Sequence, residues 1–248
     1  MEVQGLLVDL DGTLYVGDEP VRGAREALER LGAAGVRVRR YVTNTTRNPR
    51  RVVREKLLNL GYGVEEGEIF TPAVAAAGLL GGRSCLPLVD DSLLADLTSI
   101  DFGTEDVDYV LVGDLGEGFT YGRLDGAFRA LMDGAGLVAL QKNRYWRTPE
   151  GLSLDAGPFV AALEFASGKT ATVVGKPKEA FFRLALDDLG LEPEVVAMVG
   201  DDPVADVAGA RTAGLKGVAV ETGKHGGQWD ADLVLGSIAE LPGALGIE

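Results

Sequence analysis

The run Gly5-Leu6-Leu7-Val8-Asp9-Leu10-Asp11-Gly12-Thr13-Leu14-Tyr15 decides how the rest of the chain is read. An apolar segment gives way to two acids two residues apart, and a glycine then permits a sharp turn. Open α/β sheets bind ligands beyond the carboxyl ends of their strands, so a strand ending in carboxylates places chemistry there. Two carboxylates this close repel each other unless a cation sits between them. A hard divalent ion such as Mg2+ takes oxygen ligands and meets that need. One acid can then attack while the other moves a proton. Asp and Gly after a strand also make ordinary turns. The downstream segments separate the two readings.

Strands and helices alternate along the chain. Residues 5–10 read as the first strand, 22–31 as a helix closed by Gly32 and Gly35, and 36–42 as the next strand. Asn48-Pro49 and Thr71-Pro72 each supply a capping residue and a helix-starting proline, for helices reaching about Leu60 and Leu80. Gly81-Gly82 reads as a hinge into a stretch with its own strands (107–112, 138–140) and helices (124–133, and from Gly157-Pro158 towards Ser167). The main rhythm then resumes: strand 172–174, helix 178–189, strand 195–199, helix 204–213, strands 218–220 and 233–235, helix 238–245. This alternation predicts an α/β fold with a Rossmann-like, doubly wound parallel sheet covered on both faces. The expected division is a core of residues 1–78 and 175–248 and an inserted, smaller α/β cap domain over 79–174.

The 248 residues are 46% hydrophobic and 25% charged, enough for a substantial core in a soluble globule. A net charge of −14 argues against nucleic acid and against an anionic membrane surface as partners. Phosphate handling would then depend on individual Lys, Thr and backbone N–H groups. One cysteine, Cys85, rules out an intrachain disulfide and points to a reducing cytoplasm; it reads as a small buried side chain. One histidine, His225, gives little support to a multi-histidine zinc site or a Ser-His-Asp triad. Its glycine-rich surroundings read as a surface or rim loop. No secretory leader opens the chain and no run approaches a membrane span. The first strand is followed by no G-x-G-x-x-G, and Walker A and G-x-S-x-G sequences are missing, which removes dinucleotide-binding, nucleotide-triphosphatase and serine-hydrolase readings.

Three later segments also adjoin strands. Val42-Thr43-Asn44-Thr45-Thr46 offers a hydroxyl and backbone N–H groups suited to a phosphate, or equally an ordinary cap or turn. Val174-Gly175-Lys176-Pro177 places a lysine after an apolar strand, to hold phosphate and offset the aspartates, or as a solvated loop cation. Met198-Val199-Gly200-Asp201-Asp202-Pro203-Val204-Ala205-Asp206 repeats the opening pattern of buried strand, glycine turn and adjacent acids. Asp201 would complete a metal shell. Asp202 and Asp206 would sit behind it, holding metal-bound water or Lys176, with helix capping as the alternative role.

These four segments, in this order, resemble the four motifs of the haloacid dehalogenase superfamily. The insertion between the second and third resembles its C2-capped, NagD-like branch. Asp114-Leu115-Gly116-Glu117-Gly118-Phe119-Thr120-Tyr121, Asn143-Arg144-Tyr145-Trp146 and Thr222-Gly223-Lys224 extend a similarity to phospholysine/phosphohistidine/inorganic pyrophosphate phosphatase-type proteins. The resemblance implies that Asp9 attacks phosphorus to form an aspartyl-phosphate, while Asp11 serves as acid and then base. It implies Mg2+ held by Asp9, Asp201 and the Asp11 backbone carbonyl. Thr43, the Asn44 backbone and Lys176 would hold the phosphoryl oxygens. An aspartate at position 11 points to a phosphatase or phosphomutase within that superfamily, and the short gap after the first motif is unlike the mutases. In the cap, Asn143, Arg144, Tyr145 and Trp146 are candidates for substrate choice, the two rings being equally readable as cap core. Arg47, Arg50 and Arg51 read as a solvated helix face. The expected partner is a small phosphorylated substrate, with a homodimer also open. The rival activities are phosphotransfer to another acceptor and a regulatory binding role without useful turnover.

Overall fold

The computed structural model describes residues 2–36, 38–148, 151–223 and 229–247. The expectation for His225 falls outside the described residues. The chain divides into two compact units: one of Met1–Thr43, Arg50–Phe70 and Lys176–Glu248, the other of Asn44–Pro49 and Thr71–Gly175.

The first unit is built on a six-stranded sheet. In spatial order its strands are Leu233–Leu235, Lys216–Val220, Val196–Gly200, Gly5–Asp9, Val38–Val42 and Ile69–Phe70, every pairing parallel. Counted along the chain, this is the order 6-5-4-1-2-3 of a doubly wound sheet, in which the winding reverses between the first and fourth strands. Those two strands are Gly5–Asp9 and Val196–Gly200, and all ten of their residues are buried. A strand buried on both faces needs apolar residues throughout, which is why each reads as an unbroken run rather than an alternating one. One face of the sheet packs Leu6, Val8, Leu28, Leu31 and Leu57 into a common core with Val199 and Val218. The helix Glu179–Leu189 contributes Phe181 and Phe182, both fully buried. Phe181 meets Phe70 edge-on at 5.3 Å and Phe182 at 5.5 Å. Burying each ring contributes about 1.5–3 kcal/mol.

The second unit has its own five-stranded parallel sheet, in the order Thr172–Val173, Gly136–Ala139, Tyr109–Val112, Ser84–Leu88, Asp101–Phe102. Helices Tyr121–Met132 and Ala156–Ser167 supply Ala127, Leu131, Val160 and Leu163 to its core. An antiparallel hairpin, Tyr145–Thr148 with Gly151–Leu154, stands apart from that sheet.

Local chemistry moves several boundaries. Thr120 caps the helix Tyr121–Met132 by accepting from the Arg123 amide, so the helix begins three residues ahead of the expected 124. Asp155, not Gly157-Pro158, opens the helix Ala156–Ser167. Thr71 accepts from the Val74 amide at the start of Pro72–Leu80, as its Thr-Pro signature predicts. Arg47 is no part of a helix, since the helix after the second motif runs Arg50–Asn59. Residues 204–213 begin as a π-helical segment, Pro203–Ala208, and only then continue as the α-helix Gly209–Thr212. Among the described residues, no helix is long and apolar enough to cross a membrane.

Candidate active site

The first unit brings its chemistry to the carboxyl ends of the two strands at the winding reversal. Asp9 is the last residue of its strand and is 8% exposed. Asp201 directly follows Val196–Gly200 and is buried. Asp206, expected behind these two, joins them: one carboxylate oxygen from each of Asp9, Asp201 and Asp206 lies within 4.8 Å of the others. The π turn explains how it gets there. Asp202 caps the segment, its Oδ1 accepting from the Val204 and Ala205 amides at 2.9 and 2.8 Å. The Val207 amide reaches back to the Asp202 carbonyl, widening the coil. Asp206 thereby folds under Gly200, so closely that a Cβ on that glycine would overlap its carboxylate. The Asp202 amide donates to Asp206 Oδ2 at 3.1 Å.

Lys176 sits among these acids. Its Nζ lies 2.5 Å from Asp9 Oδ1 and 2.7 Å from Asp206 Oδ1, and the side chain is 4% exposed. The loop-cation alternative is thereby excluded. Burial opposes the charge on Lys176, but Asp206 and Asp9 outweigh it and hold the ammonium above its ordinary range. Asp9 moves the other way from a typical ion-paired acid. Burial, with Asp206 and Asp201 nearby, pushes its carboxyl up to about 7 despite the pull of Lys176. Loss of hydration is the larger cause, and the nearby carboxylates of Asp206 and Asp201 add to it.

The three gathered carboxylates suit a divalent cation. The donors are all hard oxygens, and the group has an excess of negative charge that one dication would balance. Close backbone approach supports the same reading. Gly12 has φ +87°, and a Cβ on Gly12 or on Gly223 would overlap the Asp201 carboxylate. The Thr222 hydroxyl donates to the Gly12 carbonyl, tying the two loops together. Thr13, fully buried beside this turn, has a hydroxyl without a hydrogen-bond partner among the described residues.

The remaining predicted residues distribute as follows. Asp11 is exposed, and its side chain lies outside the carboxylate group. Thr43 directly follows Val42, whose register partner is Asp9, so the second motif begins at the strand end adjoining Asp9. Asn44 belongs to the second unit, as do Asn143, Arg144, Tyr145 and Trp146. All four cap residues are exposed, with Tyr145 at 54% and Trp146 at 40%, so neither ring is cap core.

The loop that presents them is tightly held. Gln141 is buried, donates to Asp155 Oδ1 and accepts from the Asn143 amide. The Gly157 amide donates to the Asn143 carbonyl at 3.0 Å, where any Cβ would strike that oxygen. Burial, reinforced by Asp114, raises the Asp155 carboxyl despite its hydrogen bonds. Sequence reasoning missed Gln141 and Asp155. A polar residue ending an apolar strand, 14 positions before an acid at a helix start, carried no distinctive local signal.

Comparison with known proteins places the chain in a family. A haloacid dehalogenase-like hydrolase family model matches residues 6–103, and a second model described as HAD-hydrolase-like matches residues 173–241. Haloacid dehalogenase-like hydrolase domain-containing protein 2 of Bos taurus is 47% identical over 225 residues, 90% of this chain and 86% of that protein. The chain belongs to the haloacid dehalogenase-like hydrolases. Within the family, the phospholysine phosphohistidine inorganic pyrophosphate phosphatase of Bos taurus is 40% identical over 230 residues, 90% of this chain and 84% of its own length. The crystal structure of the 4-nitrophenylphosphatase of Thermotoga maritima superposes with a TM-score of 0.88 at 26% identity, covering 98% of this chain and 97% of that one.

Proposed function

We propose that this hydrolase is a Mg2+-dependent phosphatase that cleaves small phosphate esters, pyrophosphate or phosphoramidates through an aspartyl-phosphate on Asp9. The observation that carries the proposal is the group of Asp9, Asp201 and Asp206 around Lys176 at the winding reversal of the sheet. The phosphatase names of the Bos taurus and Thermotoga maritima relatives support the reaction class.

Asp9 is the nucleophile. Its Oδ attacks phosphorus, the bond to the leaving group breaks, and the phosphoryl group rests on the carboxylate. Asp11, exposed at the mouth of the same strand, gives its proton to the leaving oxygen or nitrogen and then takes one from the attacking water. Lys176 is already fixed by Asp9 and Asp206, so its ammonium meets the transferring oxygens without reorganisation. Thr43 and the Asn44 amide add donors to the same group. Asp9, Asp201 and the Asp11 carbonyl would hold Mg2+, which when bound offsets the repulsion between an anionic nucleophile and an anionic substrate. In the second unit, Arg144 suits a second phosphate or a carboxylate on the leaving group, and Tyr145 and Trp146 suit a flat one.

The test is phosphate release from p-nitrophenyl phosphate, pyrophosphate and a phosphoramidate. Release that stops in chelator and returns on adding Mg2+ is expected. Undiminished release in excess chelator would remove the metal from the proposal, and no release from any of the three would remove the phosphatase assignment.

A further inference from the structure

Thr222 and Gly223 lie against the acidic group, yet the proposed reaction gives them no part. Their place follows from strand order. Gly5–Asp9 and Lys216–Val220 flank Val196–Gly200 in the sheet, and all three run parallel. The loops that leave the two flanking strands therefore emerge on either side of Asp201, the first residue after the middle strand. They meet beside it. A Cβ on Gly12 would overlap the Asp201 carboxylate, and so would one on Gly223, which would also come within 2.6 Å of the Gly12 Cα. The carboxylate is thus bounded by two bare backbones from separate loops. Both peptide groups around Gly12 are tied. The Gly12 amide donates to the Tyr15 carbonyl at 2.7 Å. Because a peptide is planar and trans, that bond also fixes the Asp11 carbonyl across the same peptide. On the other side, the Gly12 carbonyl accepts from the Thr222 hydroxyl. The turn's own hydroxyl takes no share in this: Thr13 Oγ1 is buried without a partner among the described residues. The loop that carries Thr222 is itself anchored, since the Glu221 amide donates to the Leu235 carbonyl at 3.1 Å.

We propose that Thr222 is a positioning residue for the divalent cation: its bond to the Gly12 carbonyl holds Gly12 and Gly223 against Asp201, so that the Asp201 carboxylate and the Asp11 carbonyl stay in place for the ion. The proposal rests on the metal part of the phosphatase reading, because it needs Mg2+ among these acids. Groups that orient metal ligands from behind tune the affinity for the ion. Loss of the Thr222 hydroxyl therefore weakens Mg2+ binding and leaves the ion-loaded protein able to turn over.

The experiment compares wild type with Thr222→Val, which keeps the branched shape without the hydroxyl, and with Thr222→Ser, which keeps the hydroxyl. It measures Mg2+ binding by titration calorimetry, which needs no turnover, and kcat for p-nitrophenyl phosphate across a Mg2+ series. For Thr222→Val, the Mg2+ dissociation constant is expected to rise about tenfold, with kcat at saturating Mg2+ changed by less than about threefold. Thr222→Ser is expected to bind Mg2+ within about threefold of wild type, a rescue that a purely packing role would not give. If Thr222→Val fails to fold, Thr222→Ala carries the same expectation. A folded Thr222→Val with wild-type Mg2+ affinity would overturn the proposal. So would a fall in kcat at saturating Mg2+ with affinity unchanged, or a Thr222→Ser variant as impaired as Thr222→Val. A wild type that binds no Mg2+ would overturn the metal assignment and this inference with it. A wild type that binds Mg2+, loses affinity on Thr222→Val and yet releases no phosphate would support this inference and remove the phosphatase reading.

Discussion

Replacing Asp9 by asparagine should abolish turnover and, in chelator at alkaline pH, make the protein more stable. Burial, helped by Asp206 and Asp201, pushes the Asp9 carboxyl up from 3.8 to about 7. A carboxyl whose folded pKa is raised contributes stability that is fully present below its unfolded value. That contribution is lost as pH rises through its folded value. In the metal-free protein, the loss therefore falls between about pH 4 and pH 7. A difference of about three pKa units corresponds to about 4 kcal/mol at most. Asn keeps an oxygen for Lys176 but gives up the attraction of a full charge, which takes back about 1–2 kcal/mol. The net gain at pH 8 is about 2–3 kcal/mol, or roughly 5–10 °C in melting temperature for a chain of this size. The assay is thermal unfolding of wild type and Asp9→Asn in chelator at pH 8 and pH 4.5. The variant's advantage should be present at pH 8 and gone at pH 4.5. Saturating Mg2+ at pH 8 should narrow or reverse it by stabilising the wild type. A variant that melts at or below wild type at pH 8 in chelator, or with the same offset at both pH values, would refute the claim that Asp9 is held in an unfavourable charge state. Such a trade of stability for reactivity is usual where a fold concentrates like charges for chemistry.

Three further outcomes follow from the same geometry. Lys176→Met should abolish phosphate release and, by leaving three buried acids without their ammonium, destabilise the protein by about 3–5 kcal/mol at pH 8, read as a lowered urea midpoint. That penalty should shrink at pH 5, because protonation relieves the acids. Gly12→Ala should cost about 1–3 kcal/mol and most of the activity, since the position combines a left-handed backbone with contact against Asp201; unchanged unfolding and kinetics would show that this turn tolerates a side chain. Arg144→Ala should leave the melting temperature within about 2 °C, being an exposed substitution, and raise KM more for pyrophosphate than for p-nitrophenyl phosphate. Equal effects on both substrates would deny Arg144 a role in reading a second anion.

The central sheet was legible because its physics is local. A strand buried on both faces must be apolar throughout, and Gly5–Asp9 and Val196–Gly200 announce themselves in that way. The acids that terminate them were legible for the same reason. Boundaries set by a single hydrogen bond were less so: Thr120 and Asp155 open their helices ahead of the expected starts at Leu124 and at Gly157-Pro158. The hairpin of Tyr145–Thr148 and Gly151–Leu154 was missed, because Tyr145, Trp146, Leu152 and Leu154 are all exposed and show no inward face for a pattern to reveal. Arg47 is exposed, as expected, but it lies ahead of the helix and its carboxylate partner was not legible. A guanidinium's partner is a tertiary fact, and Asp114 lies 67 residues away.

The order of residues by itself determined which groups end the strands, because backbone geometry ties a side chain's place to its neighbours in the chain. It thereby supplied Asp9, Asp201 and Lys176 and the alternation that makes a parallel sheet. Only the tertiary structure decided that the first and fourth core strands lie side by side, and that a π turn carries Asp206 inward to share Lys176 with Asp9. Coulomb forces and burial act through space. Whether an acid is a solvated cap or part of a charged, water-poor cluster is therefore settled by what folds against it.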